Sequence, residues 1–465
     1  MRKYIFSIFM AATVAAQALV VRPEAAGQLA ALVDSPGGVT DLTVSGPINV
    51  PDIVFITENM PSLRTLDLGE ASIAAYTGPR VGGLTAWPAS YMPAGAFAGA
   101  AITSVTLPAA GVLLGDAVFA SSAIESFTLP AAYKEVPAGM FSDCKALRSV
   151  EFTAPVAIDD HAFAGCTALA QVKGSQNITS IGDRAFAGCT ALAEFVPGAS
   201  LTSIGNEAFR GAGLTAVDLA PATRLSSVGE WAFASMPSLT GADLGNCAKI
   251  GRGVLFGCAA LKSASYNATE VPDYAFAGDT AHDGVLAPGT TTLGRYAMSG
   301  MSGVTDIDLP ESLEKLDDHA MEHMTGLKNI NVSGNTVPAL GEDVWHGVNQ
   351  PAVNLNVLSG MTDEYKNAEQ WQNFNLVSQS LSADAVADAG ASGVRARFVG
   401  DVLQVRSANS AISGLAVYDP AGNCLALLSP DADSVDVDCS AHTTRMYIVY
   451  VRLSDGTEAA VKLVR

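Results

Sequence analysis

Apolar residues return along this chain in a block that repeats about every 22 residues. The block is clearest at Ile181-Gly182-Asp183-Arg184-Ala185-Phe186-Ala187-Gly188-Cys189 and again at Ile204-Gly205-Asn206-Glu207-Ala208-Phe209. Large apolar anchors mark its centre at Phe97, Phe119, Phe141, Phe163, Phe186, Phe209, Phe233, Phe256, Phe276, Met298, Met321 and Trp345, separated by 20 to 24 residues. A second apolar residue stands five places before the anchor, from Met92 and Leu114 through Ile181 and Ile204 to Leu316 and Leu340. The block of Phe256 departs by one place and uses Ile250. Gly or Pro often follows this residue, which predicts a tight turn. A unit this short cannot bury an apolar face alone, so a fixed period of about 20–29 residues predicts a leucine-rich-repeat solenoid whose units pack on their neighbours.

Five or six residues after the anchor comes a segment of the form Leu-x-x-Val-x-Leu. Examples are Ile102 to Leu107, Ile124 to Leu129, Leu147 to Phe152, Leu214 to Leu219 and Val304 to Leu309. Period-two alternation turns its apolar residues inward and sets the intervening ones on an open sheet face. The expected architecture is an α/β solenoid, with a parallel sheet on the concave side and short turns or helices on the convex side. The exposed row reads Ser104 and Thr106, Ser126 and Thr128, Ser149 and Glu151, Gln171 and Lys173, and Ala216 and Asp218. It continues through Gly241 and Asp243, Ser263 and Ser265, Asp306 and Asp308, and Asn329 and Asn331. This face is small and polar, grows more acidic along the chain and has no aromatic platform, so it suits an extended protein or a basic partner better than a stacked sugar. Inside, the phenylalanine anchors supply the core, each with roughly 1.5–3 kcal/mol of transfer free energy.

The consensus Ile-Gly-x-x-Ala-Phe-x-Gly-Cys-x-x-Leu-x-x-Val-x-Leu resembles that of BspA-like leucine-rich-repeat surface proteins of Gram-negative anaerobes. Gly27 to Ile73, with Gly46-Pro47-Ile48-Asn49 and Leu63-Arg64-Thr65-Leu66-Asp67-Leu68, looks like that family's N-terminal cap. Val353 to Val377, with Tyr365, Trp371 and Phe374, looks like its closing repeat. There Thr362 is expected to cap a helix whose first turn holds Asp363 and Glu364. Ala277 to Leu293 departs from the pattern and predicts an irregular loop. The resemblance implies a surface-displayed adhesion or protein-binding module without catalysis, with host matrix or bacterial surface proteins as partners. The alternative is a glycan- or nutrient-capture scaffold, using aromatics off the sheet such as Tyr76, Trp87 and Trp231.

The pattern stops after Gln379, and small residues follow. From Val394 short alternating strands appear, such as Val402 to Val405 and Tyr447 to Leu453; the latter pairs naturally with Ala459 to Val464 across Asp455-Gly456. Ile412 to Asp419 and Tyr447-Ile448-Val449 resemble the C-terminal sorting domains of the type IX secretion pathway, although Met446 stands where those tails usually carry Gly. A plain immunoglobulin-like β-sandwich reads equally from these strands. The expected organisation is a signal peptide (1–18), an N-terminal cap and first strand (19–73), repeats with a closing repeat (74–377), a linker (378–393) and a small all-β domain (394–465).

Charge and chemistry narrow the functional classes. With 26 basic against 46 acidic residues the net charge is −20, which argues against nucleic acid or anionic lipid as the main partner. Met1-Arg2-Lys3, the apolar run from Tyr4 to Ala16 and Ala16-Gln17-Ala18 read as a secretory signal with a small-x-small cleavage site. That run is short for a membrane span, and no later segment reaches the required length. Cys144, Cys166 and Cys189 each lie three residues after an anchor and read as a ladder of buried small side chains. Cys424 and Cys439 share the C-terminal domain and suit a disulfide in an exported protein. His319-Ala320-Met321-Glu322-His323 has a zinc-peptidase spacing, but that chemistry needs a two-turn helix, and the repeat register sets Met321 as an anchor with His319 outward. Asp317-Asp318 reads as a solvated turn. No metal, cofactor or catalytic residue is expected, and the oligomeric state is not legible.

Overall fold

Hydrogen bonds between consecutive repeats organise this chain. The computed structural model describes residues 17–464 except 82, 246, 248, 281–285, 288, 333, 380–386, 389–393, 400, 408–409, 421–422, 441, 443, 445 and 456–457. Most of the expected signal peptide and linker, part of the expected loop and Gly456 therefore lie outside the described residues. Two compact units divide the chain: Met1–Ala268 with Pro272–Asp283 and Tyr296–Met301, and Thr269–Val271 with Gly284–Arg295 and Ser302–Arg465.

In the first unit the sheet-face strands are parallel and paired one repeat apart. Gln17–Val21, Val39–Val44, Thr65–Asp67 and Ser104–Thr106 form one sheet, Ser126–Leu129, Ser149–Phe152 and Gln171–Lys173 a second, and Ala216–Asp218, Gly241–Asp243 and Ser263–Ser265 a third. A separate parallel ladder links the short strands before the anchors: Glu135–Val136, Val156–Ile158, Ile178–Ile181, Ser203–Ile204 and Ser227–Val228. The anchor turns make a third ladder. Phe97 N–H donates to the Val118 carbonyl (2.8 Å), Phe119 to Met140 (2.9 Å), Phe141 to Ala162 (2.8 Å) and Phe186 to Ala208 (2.8 Å). The buried anchor rings stack at 5.2–5.7 Å between centroids from Phe97 to Phe233. The described anchor turns of the repeats contain no α-helix; this unit's α-helices, Leu29–Leu32 and Val50–Asn59, both lie in the cap, and a single 3-10 turn, Ser175–Asn177, occurs within its described repeats.

Each anchor turn reverses through two left-handed residues, one two places before the anchor and one two places after it. The earlier position has φ 55° at Ala117, 58° at His161, 54° at Arg184 and 53° at Glu207; the later one has φ 70° at Gly99, 73° at Gly165 and 72° at Gly188. Glycine occupies this conformation without a Cβ penalty, which accounts for Gly in Ala-Phe-x-Gly. The Gly after the short strand has another cause. Gly205 has no positive φ, but a Cβ there would fall 2.6 Å from the Asp183 nitrogen. Close passage of the preceding repeat, rather than a tight turn, excludes a side chain.

This geometry corrects one anchor. Phe233 N–H donates to the Val254 carbonyl and Leu255 N–H to Ala275, so Leu255 takes the anchor position. Leu255 is fully buried while Phe256, expected in the core, is half-buried and points outward. Ile250 then stands five places before its anchor, and the apparent break in period disappears. Cys258 likewise joins the thiol ladder. Cys144, Cys166, Cys189 and Cys258 each donate to the carbonyl of the preceding anchor, Phe119, Phe141, Phe163 and Phe233, at 3.0–3.2 Å. Burial pushes these thiols up, Cys189 and Cys258 to about 12.

The next position in that column is Asp279, fully buried. Its Oδ1 accepts the Cys258 N–H at 2.7 Å. Its Oδ2 has no hydrogen-bond partner among the described residues.

The N-terminal cap of this unit is knotted around another buried carboxylate. Asp52 accepts from the main-chain N–H groups of Gly27 (2.6 Å), Leu29 (2.9 Å) and Asn49 (3.0 Å). The Asn49 side chain accepts from Asp52 N–H in return, closing a capping box at the start of Val50–Asn59.

In the second unit the short strands Glu270–Val271, Thr292–Leu293, Lys315–Leu316 and Ala339–Leu340 form a parallel ladder, and Asp306–Leu309, Asn329–Val332, Asn354–Leu358 and Asn375–Gln379 form the sheet face. Trp345, Tyr365, Trp371 and Phe374 close the last repeat, with ring centroids 5.0–6.1 Å apart. The helix Thr362–Asn367 carries Asp363 and Glu364 in its first turn, but Thr362 is its first residue and not its cap; Met361 occupies that place without a side-chain cap bond. Gln370 supplies what a further repeat would have given. Its Oε1 accepts the Val344 N–H (3.0 Å) and its Nε2 donates to the Gly341 carbonyl (2.7 Å), as a peptide unit would. The C-terminal domain has two antiparallel four-stranded sheets. Ala387–Asp388, Val394–Val399, Val402–Ser407 and Ser434–Asp438 form one, and Cys424–Leu428, Ile412–Tyr418, Met446–Leu453 and Glu458–Val464 the other. Phe398, Leu403, Val417, Tyr447 and Val449 are among its core residues.

Two measurements check this packing. Leu255→Ala should cost about 2–5 kcal/mol in chemical denaturation and Phe256→Ala markedly less; the reverse order would restore Phe256 as the anchor. Burial raises the Asp279 carboxyl from 3.8 to about 9. The neutral acid is thus the form the fold favours, and its contribution is complete below about pH 4 and lost as pH rises through about 9. Asp279→Asn, which keeps an acceptor for Cys258 N–H, should flatten the decline of the denaturation midpoint between those limits; an unchanged pH profile would contradict the assignment.

Candidate functional site

The exposed sheet face is where the predicted residues meet, and the strand register sorts them into groups. In the first unit Ser104 and Thr106 lie beside Thr65 and Asp67. Ser126, Ser149 and Gln171 form one row and Thr128, Glu151 and Lys173 the next. Asp218, Asp243 and Ser265 form a third row. No strand forms at Glu194–Val196, where Pro197 removes a donor, so the second and third groups are not joined by a continuous ladder. Several of these acids serve the local turn. Asp67 accepts from Gly69 N–H (2.9 Å), Asp218 from Ala220 (3.0 Å) and Asp243 from Gly245 (2.8 Å), each through Oδ1.

The second unit differs in kind. Strands beginning Asp-Ile-Asp, Asn-Ile-Asn, Asn-Leu-Asn and Asn-Leu-Val stack in register, so Asp306, Asn329, Asn354 and Asn375 form one column and Asp308, Asn331 and Asn356 another. Asn375 Nδ2 donates to Asn354 Oδ1 (2.8 Å), Asn354 to Asn329 (2.9 Å) and Asn329 to Asp306 (2.7 Å). In the other column Asn356 donates to Asn331 and Asn331 to Asp308, both at 2.8 Å. All the amides point one way, and each column ends on a carboxylate. The Thr305 hydroxyl and the Asn329 amide hold the Asp306 carboxyl below its usual range. An amide that donates once and accepts once keeps one N–H and one oxygen lone pair. Asn329, Asn331 and Asn354 therefore present a donor and an acceptor each, in orientations fixed by their neighbours. Asn354, Asn356 and Asn375 were not among the predicted residues, although Asn354-Leu355-Asn356-Val357 repeats the alternation of Asn329-Ile330-Asn331-Val332.

The remaining candidates fall elsewhere. His319 and His323 sit in the two left-handed positions of an anchor turn, with φ 58° and 56°, so their spacing is not carried on a helix. His319 Nδ1 lies 2.9 Å from Glu322 Oε2. Among the described residues no three His, Cys, Asp or Glu side chains gather as a metal site. Cys424 is exposed on one sheet of the C-terminal domain, and Cys439 is buried just after a strand of the other. Tyr76 and Trp87 are cross-strand neighbours in the hairpin formed by Tyr76–Val81 and Leu84–Trp87. Beside the closing repeat an open cleft of about 740 Å³ is lined mainly by main chain and by Asp318, Glu342, Asp343 and Glu369.

The profile of a family described as BspA type leucine rich repeat region matches residues 89–166, 156–282 and 269–351, with six copies of the repeat. A solved leucine-rich repeat protein from Bacteroides ovatus ATCC 8483 shares 19% identity at a TM-score of 0.57, covering 78% of this chain and 92% of that one. A leucine-rich cell surface protein from Faecalibacterium prausnitzii A2-165 shares 18% identity at a TM-score of 0.26, covering 56% and 86%. The pneumococcal vaccine antigen PcpA shares 13% at 0.31, covering 79% and 84%. The Bacteroides protein shares the fold. No curated protein matches this chain in sequence.

The amide columns carry a stability prediction. Asn354→Ala removes two side-chain hydrogen bonds of roughly 0.5–1.5 kcal/mol each, whereas Asp306→Asn leaves an acceptor at the end of its column. The first should lower the denaturation midpoint clearly and the second scarcely; equal effects would show that the columns do not act as chains.

Proposed function

This chain belongs to the BspA-type leucine-rich-repeat family, and on that premise we propose that it is an exported, non-catalytic binding protein that holds an extended protein partner on its sheet face. The observation that carries this reading is the double column of amides ending on Asp306 and Asp308. A polypeptide main chain offers alternating N–H and C=O groups, which the outward donor and acceptor of Asn329, Asn331 and Asn354 complement. The two carboxylates at the end of the columns suit a Lys or Arg on the same partner. Rigid elements hold these groups in place, so little ordering is lost on binding.

Export rests on the basic start, apolar run and small-x-small site at the N-terminus. No described helix is long and apolar enough to cross a membrane. The C-terminal domain, with its own core, has the character of a separable address, and we read it as a sorting domain for surface display or release. Pull-down with host matrix proteins and bacterial surface extracts should recover a specific partner that Asn329→Leu combined with Asn354→Leu releases. Deleting residues 394–465 should leave the repeats folded and trap the protein in the periplasm. A partner indifferent to the leucine substitutions would remove the sheet face from the reading, and normal external levels after truncation would remove the address.

A further inference from the structure

The left-handed position two residues before the anchor is occupied in the first unit by Gly95, Ala117, Gly139, His161, Arg184, Glu207, Trp231, Gly253, Tyr274 and Tyr296. Only toward its end are bulky aromatics placed there, with φ 56° at Trp231, 61° at Tyr274 and 55° at Tyr296. A large side chain in this region costs conformational energy that glycine avoids. Nothing in the core returns that cost, because all three side chains stay outside it, half-buried.

These residues form one surface. A Cβ on Gly253 would fall 2.2 Å from Trp231 Cε3, so the indole lies against bare main chain where any other residue would project. Phe256, displaced outward by Leu255, meets the indole edge-on at 5.2 Å. Tyr274 and Tyr296 stack at 4.9 Å. The Arg252 guanidinium carbon sits 5.5 Å from the Trp231 centroid and 5.1 Å from that of Tyr274. Arg252 is exposed, and its side chain makes no hydrogen bond or ion pair among the described residues, leaving its N–H donors available beside the rings. In the aromatic hairpin near the cap, Trp87 Nε1 donates to the Val81 carbonyl (3.2 Å) and the Tyr76 hydroxyl to the Pro79 carbonyl (2.8 Å).

We propose that Trp231, Arg252, Phe256, Tyr274 and Tyr296 form a binding site for a neutral pyranose saccharide. A pyranose ring has an apolar C–H surface that packs on aromatic rings, bordered by hydroxyl oxygens that accept from a guanidinium. Anionic saccharides and anionic lipid surfaces are disfavoured by the chain's net charge of −20 and by Glu230, which precedes Trp231 in the same turn. The site shares no residue with the amide columns, so it does not depend on a protein partner on the sheet face.

The test is a printed array of neutral and acidic oligosaccharides probed with the full chain, followed by isothermal titration calorimetry of the strongest neutral ligand. Trp231→Gly relieves the left-handed backbone, and Arg252→Lys keeps the charge but loses the planar donor fork. Each should weaken binding at least about tenfold with no loss of thermal stability, and Asn354→Ala should leave it unchanged. An array without neutral ligands, binding that survives both substitutions, or preference for acidic sugars would overturn the proposal. So would self-association abolished by Trp231→Gly, which would make the patch a contact between copies.

Discussion

The hydrogen bond from an anchor's N–H to the repeat that follows is the constraint on which this structure rests. Phe141 to Ala162 and Phe186 to Ala208 are bonds between residues far apart in sequence, and along the anchors that separation stays between 20 and 23 residues. To present that N–H and the matching carbonyl along one line, the chain must reverse on both sides of the anchor, which explains the paired left-handed residues. The same line brings the preceding repeat so close to Gly205 that no side chain fits. Asp183 reinforces it, accepting the Asn206 N–H at 2.6 Å. Core packing follows: rings held at this repeat distance stack face to face.

A ladder of this kind leaves unpaired groups wherever it stops, and unpaired buried groups are costly. The first unit and the second meet the problem with the same device, a side chain acting as main chain. At the cap, Asp52 gathers the N–H groups of Gly27, Leu29 and Asn49. At the closing repeat, the Gln370 carboxamide offers one acceptor and one donor at peptide geometry. The asparagine columns extend the principle to the surface, where amide side chains pair from rung to rung as the backbone beneath them does.

Much of this was legible in the sequence because period and alternation are statements about burial. The anchors, the sheet face and the strands of the C-terminal domain could be read from spacing and alternation, and the closing repeat from the family resemblance. Phe256 misled because a large aromatic draws the eye, while the bond register chose the smaller Leu255 and left the phenylalanine for the surface. Left-handed φ was invisible, since Ala117, His161, Arg184 and Trp231 share no side-chain property; the neighbouring repeat imposes the conformation on whatever stands there. The amide columns were half-read, because Asn354 and Asn356 carry the right alternation but fall in a segment whose aromatics mark it as an ending. Thr362 sits one place inside the helix it was expected to cap, a shift that pattern alone does not resolve.

The thiol ladder has a consequence for the order of events outside a reducing compartment. Cys144, Cys166, Cys189 and Cys258 are chemically quiet once the repeats have closed, because the thiolate that would attack an oxidant is suppressed by burial and each S–H is engaged by a carbonyl. Before closure the same sulfurs have ordinary reactivity and no fixed partner. In an oxidising setting, repeat formation, which needs only contacts to the adjacent turns, would have to outrun oxidation. The four thiols of this ladder, shielded by architecture alone, need no reductant after folding and leave little tolerance for delay before it.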